Sequence, residues 1–120
     1  MTNQKMFDKV VNHLLTQNAQ STLQNSECCA YRGHDGLKCA IGCLITNEDY
    51  RPDMEGDLEH LILNYSDDSK SISILNLYNE ELLFNLQTIH DTIPVKRWAD
   101  ELKNLAKEYE LDYNGKLNAD

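Results

Sequence analysis

The sequence predicts a mainly α-helical fold, a single compact domain of four to five helices with a small β-hairpin near residues 29–39. Three observations lead to this prediction. Apolar residues recur at helical spacing in several separate segments. A turn signal stands between two short runs inside a cysteine-rich stretch. A chain of 120 residues, 41% of them hydrophobic, fits one domain with one core.

The N-terminal segment predicts an amphipathic helix. Thr2 or Asn3 is a suitable N-cap, because a short polar side chain can accept a free N–H of the first turn. The polar run 16–22 ends the pattern. The apolar residues fall at i, i+3, i+4, i+7 and i+8, so one face carries Phe7, Val10, Val11, Leu14 and Leu15.

The stretch CCAYRGHDGLKCAIGC contains all four cysteines of the chain. Within it, Asp35 and Gly36 are typical of a tight turn, because glycine readily adopts positive φ, and this predicts the hairpin. The run 39–45 favours a short helix over a strand, since Cys39 and Cys43 then lie one turn apart. The run is too short for periodicity to decide between the two.

The middle of the chain predicts one irregular connection and one helix. Residues 46–56 are acidic and contain a proline and a terminal glycine, which indicates a loop. Residues 57–65 have apolar positions on one helical face. Residues 66–71 are a polar loop, and the run ISILNLY at 72–78 fits a strand or a helix.

The last part of the chain predicts two helices separated by Pro94, which breaks or restarts a helix. Asn79 is the expected N-cap of the first, with acids in its opening turn. The first stripe comprises Leu82, Leu83, Leu86, Ile89, His90 and Ile93. The second comprises Val95, Trp98, Leu102, Leu105 and Tyr109. We expect the domain to span residues 1–112 and a tail, 113–120, to fray.

Charge is distributed unevenly along the sequence, and this limits the class of partner that the protein can bind. The net charge is −9, and residues 46–69 carry eight acids against one arginine. This acidic belt disfavours direct nucleic-acid binding, because it repels phosphates. It suits a basic protein partner, and a solvated, solubilising surface is the alternative. The candidate partner-binding residues are Glu48, Asp49, Asp53, Glu55, Asp57 and Glu59.

Nothing in the sequence resembles a signal peptide, and no apolar run approaches the length of a membrane span. We therefore expect a cytoplasmic protein without membrane association, whose thiols stay reduced. The sequence leaves the oligomeric state open.

The cysteine stretch also carries a motif. The run CAYRGHDGLKCAIGCLI, with MEG at 54–56, LQTIHD at 86–91 and Trp98, resembles a family of small uncharacterised proteins from phages and bacteria. That family shows C-x-Y-R followed by G-x-K-C-A-[IV]-G-C-L-I, usually with Pro-Asp where this chain has Thr46 and Asn47. The resemblance covers residues 29–105 and implies a phage or mobile-element accessory role without a defined activity. It also implies a cysteine set, Cys29, Cys39 and Cys43, with Cys28 as an extra.

Metal binding is one alternative for these cysteines. A hairpin would bring Cys29 opposite Cys39, and one helical turn would bring Cys43 close, so three thiols converge as a possible zinc set. The spacing contains no C-x₂-C, and His34 lies at the turn tip, away from the thiols. We therefore expect no metal and no cofactor. A Cys29–Cys39 disulfide fits sterically but is disfavoured in a reducing compartment.

Catalysis is a second alternative, with Cys39 as the nucleophile and His90 as its base. A helix N-terminus beside Lys38 would lower the thiol pKa. No flanking signature of a cysteine-enzyme family is present, and His90 lies on an apolar stripe, where a core histidine is the ordinary interpretation. The favoured interpretation is that the cysteines are small buried core residues.

Three functional hypotheses follow from the sequence. The first is a non-enzymatic binding protein, a phage or mobile-element accessory factor that engages a host or defence protein through its acidic face. The second is a small cysteine-dependent enzyme using Cys39 and His90. The third is a binder of a small anionic ligand near the hairpin, through the cluster Tyr31, Arg32, His34 and Lys38.

Overall fold

Five α-helices contain about half of residues 2–23 and 29–113, the part of the chain that the computed structural model describes. They are α1 (Asn3–Gln17), α2 (Leu58–Tyr65), α3 (Lys70–Leu75), α4 (Glu80–Thr92) and α5 (Trp98–Glu108). Single 3₁₀ turns lie at His34–Gly36, Gly42–Leu44, Pro52–Met54 and Val95–Arg97. The prediction of a mainly α fold with up to five helices is confirmed.

Four of the helices begin at a residue whose side chain caps the first turn. Thr2, Asp57, Ser69 and Asn79 each accept a hydrogen bond from the backbone N–H three residues further on. Such a bond satisfies an N–H that has no partner within the helix. The start of α5 lacks a side-chain cap and follows the interruption at Pro94.

The segment that fitted a strand or a helix is helical up to Leu75 and then turns towards Asn79. A distant carboxylate supports this short helix. Asp49 Oδ2 accepts hydrogen bonds from the Ser71 N–H at 2.9 Å and the Ser71 hydroxyl at 2.6 Å. These bonds from Ser71 hold the pKa of Asp49 below its usual value. A contact from outside the segment therefore adds to the local cap at Ser69 in supporting this helix.

The core lies where α5 packs against both α1 and α4. Trp98 is fully buried at the start of α5, and its indole N–H donates to the Ile93 carbonyl oxygen at 2.9 Å. The stripe of α1 is buried from Phe7 to Leu14, as predicted. A second pair of helices, α2 and α3, packs together and extends the same hydrophobic cluster through Leu61 and Ile72.

The expected β-hairpin near residues 29–39 does not form, and this part of the fold prediction is wrong. Within the described ranges, pairing is limited to two isolated bridges, Thr22 with Cys29 and Arg32 with Lys38. Asp35 and Gly36 do turn the chain, with positive φ at both residues. The chain on either side then departs from strand geometry after one bridge.

In the described ranges, two backbone bonds join the arms, one on either side of the Arg32–Lys38 bridge, and the outward-facing backbone groups bond to side chains of other segments. Glu55 accepts the N–H groups of Tyr31 at 2.8 Å and Arg32 at 3.1 Å. On the other arm, Gln17 accepts the Lys38 N–H at 3.0 Å and donates to the Lys38 carbonyl at 2.8 Å. The Tyr31 N–H, which would continue the ladder between the arms, is thus bonded to Glu55, and the pairing stops there.

The run 39–45 takes the helical form that its sequence favoured, as one turn ending at the 3₁₀ helix Gly42–Leu44. Gly42 lies directly against Tyr31, and a Cβ there would stand 2.0 Å from the Tyr31 carbonyl oxygen. The contact holds the turn against the arm that precedes it. Side chains of other segments also fix this turn, because Gln87 of α4 accepts the Ile41 N–H at 3.0 Å.

The C-terminal end of the described chain packs against the domain. Leu111 and Tyr113 contact the hydrophobic cluster, and Gln4 of α1 bonds both backbone groups of Asp112. Of the tail expected to fray, residues 114–120 lie outside the described residues.

Candidate functional site

Two of the cysteines belong to the protein interior. Cys39 is fully buried, its sulfur accepts the Gly42 N–H at 3.2 Å, and burial raises the pKa of its thiol. Burial also raises the pKa of Cys43 to about 12, and this thiol donates to the Ala40 carbonyl at 3.1 Å. Neither thiol has the exposed, thiolate-favouring surroundings that a nucleophile needs. Cys28 lies outside the described residues.

Cys29 has a different neighbourhood, at a point where three segments meet. In the part of the chain described, its sulfur, a His90 ring nitrogen and an Asp91 carboxylate oxygen all lie within 4.8 Å of one another. Cys39 and Cys43 do not join this group, so the three-thiol zinc set is not assembled there. The group that does assemble consists of one thiol, one imidazole and one carboxylate.

The hydrogen bonds of His90 fix the tautomer of its ring. The Ser21 N–H donates to Nε2 at 2.9 Å, so Nε2 carries a lone pair and the ring proton is on Nδ1. Nδ1 then donates to Asp91 Oδ1 at 2.7 Å. A metal held by Nδ1 would need the proton on Nε2, facing another donor. This arrangement therefore does not fit a metal ligand.

The same bonds leave His90 without a free lone pair to act as a general base. Its ring is completely buried and lies 5.6 Å from the ring of Trp98, centroid to centroid. Gln20 adds two bonds from the same loop, donating to the carbonyls of His90 and Asp91. His90 ties the loop after α1 to the end of α4, and the pairing with Cys39 lacks both an accessible thiol and an available base.

Asp91 is the charged member of the cluster. Burial by itself raises the pKa of Asp91, but hydrogen bonds from His90, Gln87 and Cys29 outweigh it, and the pKa lies below its usual value. The Gln87 amide donates at 2.8 Å to the same oxygen that His90 reaches. Asp91 is thus held as a carboxylate at the surface of the cluster, with its side chain 35% exposed.

This environment predicts a pH-dependent stability contribution. Asp91→Asn is expected to lower the free energy of unfolding by about 1 kcal/mol at neutral pH. The hydrogen bonds to residue 91 then no longer end on a charged oxygen, and solvent screens part of the effect of that charge. Since the folded pKa is depressed, the contribution is complete above the unfolded value of about 3.9 and disappears as pH falls through the folded value. Urea unfolding of both proteins between neutral and strongly acid pH measures this difference. A difference that persists unchanged in strong acid would contradict it.

The six predicted partner-binding acids do not share one role. Glu48, Asp53 and Glu59 are exposed. Asp49 supports α3, as described above, and Asp57 caps α2 while remaining exposed. Glu55 turns inward and, besides its two backbone bonds, accepts the Tyr50 hydroxyl at 2.6 Å.

The predicted anion-binding cluster does not form a cationic pocket. The Arg32 guanidinium donates to the Asn47 side chain and the Ile45 carbonyl and lies 5.0 Å from the centroid of the Tyr50 ring. His34 pairs with Asp35 at 2.8 Å. Tyr31 is buried, and its neighbours include the carboxylates of Glu55 and Asp57. The Arg32 guanidinium and the His34 ring are thus bonded to groups of the protein itself.

An open groove lies between the N-terminus of α2 and one face of α4. We call it the Phe84 groove. Its volume is about 500 Å³, and it is lined by Asp57, Leu58, Glu59, Glu80, Glu81 and Phe84. Phe84 is 59% exposed in the middle of four carboxylates. The groove therefore presents an exposed apolar ring surrounded by a single sign of charge.

A smaller pocket of about 130 Å³ lies next to the Phe84 groove and shares Asp57, Leu58 and Phe84 with it. We call this the Cys29 pocket. Cys29 and Asp91 line it, together with Tyr31, Glu55, Gln87 and Thr88. The two cavities are thus neighbours, and carboxylates line both of them.

The sequence contains a pattern that indicates the Phe84 groove but is separate from the apolar periodicity of α4. Phe84 falls outside the apolar stripe of α4, and Glu80 and Glu81 precede it by four and three residues. Positions at that spacing share a helix face, so the sequence alone could predict an exposed aromatic ring beside two acids. The sequence could not predict that Asp57 and Glu59 also line the groove, because their position depends on how α2 packs.

No protein-family model, curated protein or solved structure matches this chain. The likeness to small phage and bacterial proteins therefore rests on the sequence motif. Within the described ranges, every helix is too short or too polar to traverse a lipid bilayer.

Proposed function

We propose that this chain is a non-enzymatic binding protein whose Phe84 groove takes up a basic segment of a partner protein. The observation that carries the proposal is Phe84, 59% exposed among the carboxylates of Asp57, Glu59, Glu80 and Glu81. The sequence motif alone suggests the biological context, a phage or mobile-element factor acting on a host or defence protein.

The chemistry of the groove selects its occupant. Four carboxylates attract a cationic segment and repel nucleic acid and acidic proteins. The Phe84 ring offers a face to an arginine or lysine side chain, in a cation–π contact worth about 0.5–1 kcal/mol at an exposed site. A basic segment with long aliphatic stems matches both the charge and the apolar centre.

The enzyme hypothesis receives less support from the described residues. A cysteine enzyme needs a reactive thiol beside a base. Cys39 is buried, and both ring nitrogens of His90 are already bonded. The anionic-ligand hypothesis lacks a converging set of cations, because Arg32 is bonded to its own loop.

Selection of short random peptides displayed on phage, with the full chain as bait and the Phe84→Ser variant as counter-selection, tests the proposal. The enriched peptides are expected to carry a net positive charge. Phe84→Ser should weaken their binding at least about tenfold, since the ring is the apolar centre of the contact. Glu59→Gln with Glu80→Gln should weaken binding too, and 1 M salt should reduce that difference, because the Debye length shrinks from about 10 Å at 0.1 M to about 3 Å.

Two matched controls separate the groove from general surface effects. Leu77→Ser removes another exposed apolar side chain, 77% exposed, that does not line the groove. Asp67→Asn with Asp68→Asn removes two exposed charges from another surface. Both controls should bind like the unaltered chain. Enriched peptides that are neutral or acidic, or that bind Phe84→Ser equally well, would contradict the proposal.

A further inference from the structure

An apolar pocket lies where α1, α3 and the turn that ends at Leu44 meet, and it shares no residue with the Phe84 groove. We call it the Lys9 pocket. Its volume is about 170 Å³, whereas one water molecule needs roughly 10–15 Å³, so an aromatic ring has room to enter. The apolar walls are formed by Leu44, Ile74, Leu75 and Tyr78.

The charge at this pocket is positive. Lys9 is exposed, and no carboxylate is among the lining residues. Within residues 2–23 and 29–113, neither Lys9 nor Lys38 forms an ion pair. Both lysines oppose the rise that burial causes in the pKa of Cys43, so two ammonium groups lie near that sulfur. The Asp49 carboxylate reaches one wall, where it already accepts the Ser71 hydroxyl at 2.6 Å. An anionic group of a partner therefore meets an available cation here.

Helix α4 of the same chain presents a group of the opposite kind. Phe84 is 59% exposed, and Glu80 lies one helical turn before it on the same face. Glu80 is exposed and forms no ion pair in the part of the chain described. The Lys9 pocket thus offers an apolar cavity beside an ammonium group, whereas α4 offers an apolar ring beside a carboxylate. The two surfaces are complementary in charge, and each has an apolar part that suits the other.

We propose that the Lys9 pocket of one copy of this chain takes up the Phe84 side chain of a second copy, with Lys9 facing Glu80 of that copy. This inference assigns a second surface and names a second copy as one occupant of the Phe84 groove. It rests on the proposed function in one respect, because both require that the groove accepts a basic surface.

The contact joins two different surfaces, so it is heterologous and runs head to tail. Each pair of copies keeps one free Phe84 groove and one free Lys9 pocket, and association therefore continues into rings or open chains. One aromatic anchor per contact makes the interface small, so we expect a dissociation constant of about 0.1–1 mM. A basic segment of a partner that fills the Phe84 groove would release the bound copy.

Sedimentation velocity of the full chain, in about 0.1 M salt, tests this contact. The average mass should rise above that of one chain as the concentration increases from about 10 μM to about 1 mM. Phe84→Ser removes the ring, and Lys9→Glu places a like charge opposite Glu80. Each variant alone should keep the mass of a single chain over the whole range.

An equal mixture of the two variants separates this contact from other modes of association. Phe84→Ser keeps an intact pocket and Lys9→Glu keeps an intact ring, so one copy of each should form a pair. That pair has neither a free ring nor a free pocket of the intact kind, and the mass should stop at two chains. A chain with both Lys9→Glu and Glu80→Lys should associate again, because the two charges are exchanged.

Two controls are matched to these variants. Lys5→Glu changes the net charge by the same amount as Lys9→Glu, at an exposed residue of α1 that does not line the pocket. Leu63→Ser removes an apolar side chain, 76% exposed, that lines neither surface. Both controls should associate like the unaltered chain.

The outcomes distinguish this inference from the proposed function. A chain that stays single at about 1 mM, association that survives Phe84→Ser or Lys9→Glu, or a mixture that forms no pair overturns the contact between copies. If selected basic peptides still depend on Phe84 in that case, the proposed function stands without it. If the copies associate as described but no basic peptide depends on Phe84, the contact stands and the proposed function falls.

Discussion

Replacing Gly42 by alanine is expected to lower the free energy of unfolding by about 3 kcal/mol or more. A Cβ at this position would lie 2.0 Å from the carbonyl oxygen of Tyr31 and 2.7 Å from its carbonyl carbon. Both are backbone atoms, so no side-chain rotation relieves the overlap. The segment around Tyr31 is itself held by Glu55, and the turn around Gly42 is held by Gln87. One of the two segments must move and break those bonds.

The matched control is Gly36→Ala, in the turn that precedes the 39–45 run. Gly36 has φ of +77°, and nothing lies within 4 Å of a Cβ built there. This variant should cost only about 1 kcal/mol, the strain of an L-residue in a left-handed conformation. Urea unfolding of the three proteins measures both values. Equal destabilisation by the two substitutions would show that close packing at Gly42 does not control stability.

The helices could be predicted because their determinants are local. The buried stripe of α1 and the cap at Thr2 lie within the same segment of sequence. The same holds for α4, where Asn79 caps the helix that its apolar stripe indicated. Spacing and capping act over one or two turns, so they remain visible without knowledge of the tertiary structure.

The extent of pairing in the expected hairpin could not be predicted in the same way, because it depends on residues far along the chain. Asp35 and Gly36 correctly indicated a turn. The arms pair around Arg32 and Lys38 and stop at Tyr31, because the distant Glu55 takes the N–H that would continue the ladder. No pattern inside the stretch 29–39 reveals that this N–H already has a partner.

The candidate site shows the same division between local and distant information. Phe84 and its neighbouring acids on α4 share one helix face and were readable from spacing. The Cys29 pocket combines the cysteine stretch, the loop before α2 and the end of α4. Cys39 appeared the more reactive thiol in sequence, beside Lys38. The fold instead buries Cys39 and places Cys29 at a cavity, beside the Asp91 carboxylate.

Replacing His90 by leucine is expected to lower the free energy of unfolding by about 3 kcal/mol. Leucine preserves the apolar volume against Trp98 but removes the acceptor of the Ser21 N–H. A buried N–H left unpaired costs about 1–3 kcal/mol. The bond to Asp91 is lost as well, and the carboxylate then lacks one of the donors that stabilise its charge.

His90→Gln separates the hydrogen bond from the rest of the side chain, because the Gln oxygen occupies the ε position and can still accept the Ser21 N–H. This variant should be more stable than His90→Leu by about 1–2 kcal/mol, the worth of the restored bond. Amide hydrogen exchange gives a local measurement: protection of the Ser21 amide should persist in the glutamine variant and fall in the leucine variant. If both variants are equally stable and equally protected at Ser21, the ring nitrogen does not hold this loop. The attachment of the loop to α4 would then depend on Gln20, which bonds the carbonyls of His90 and Asp91.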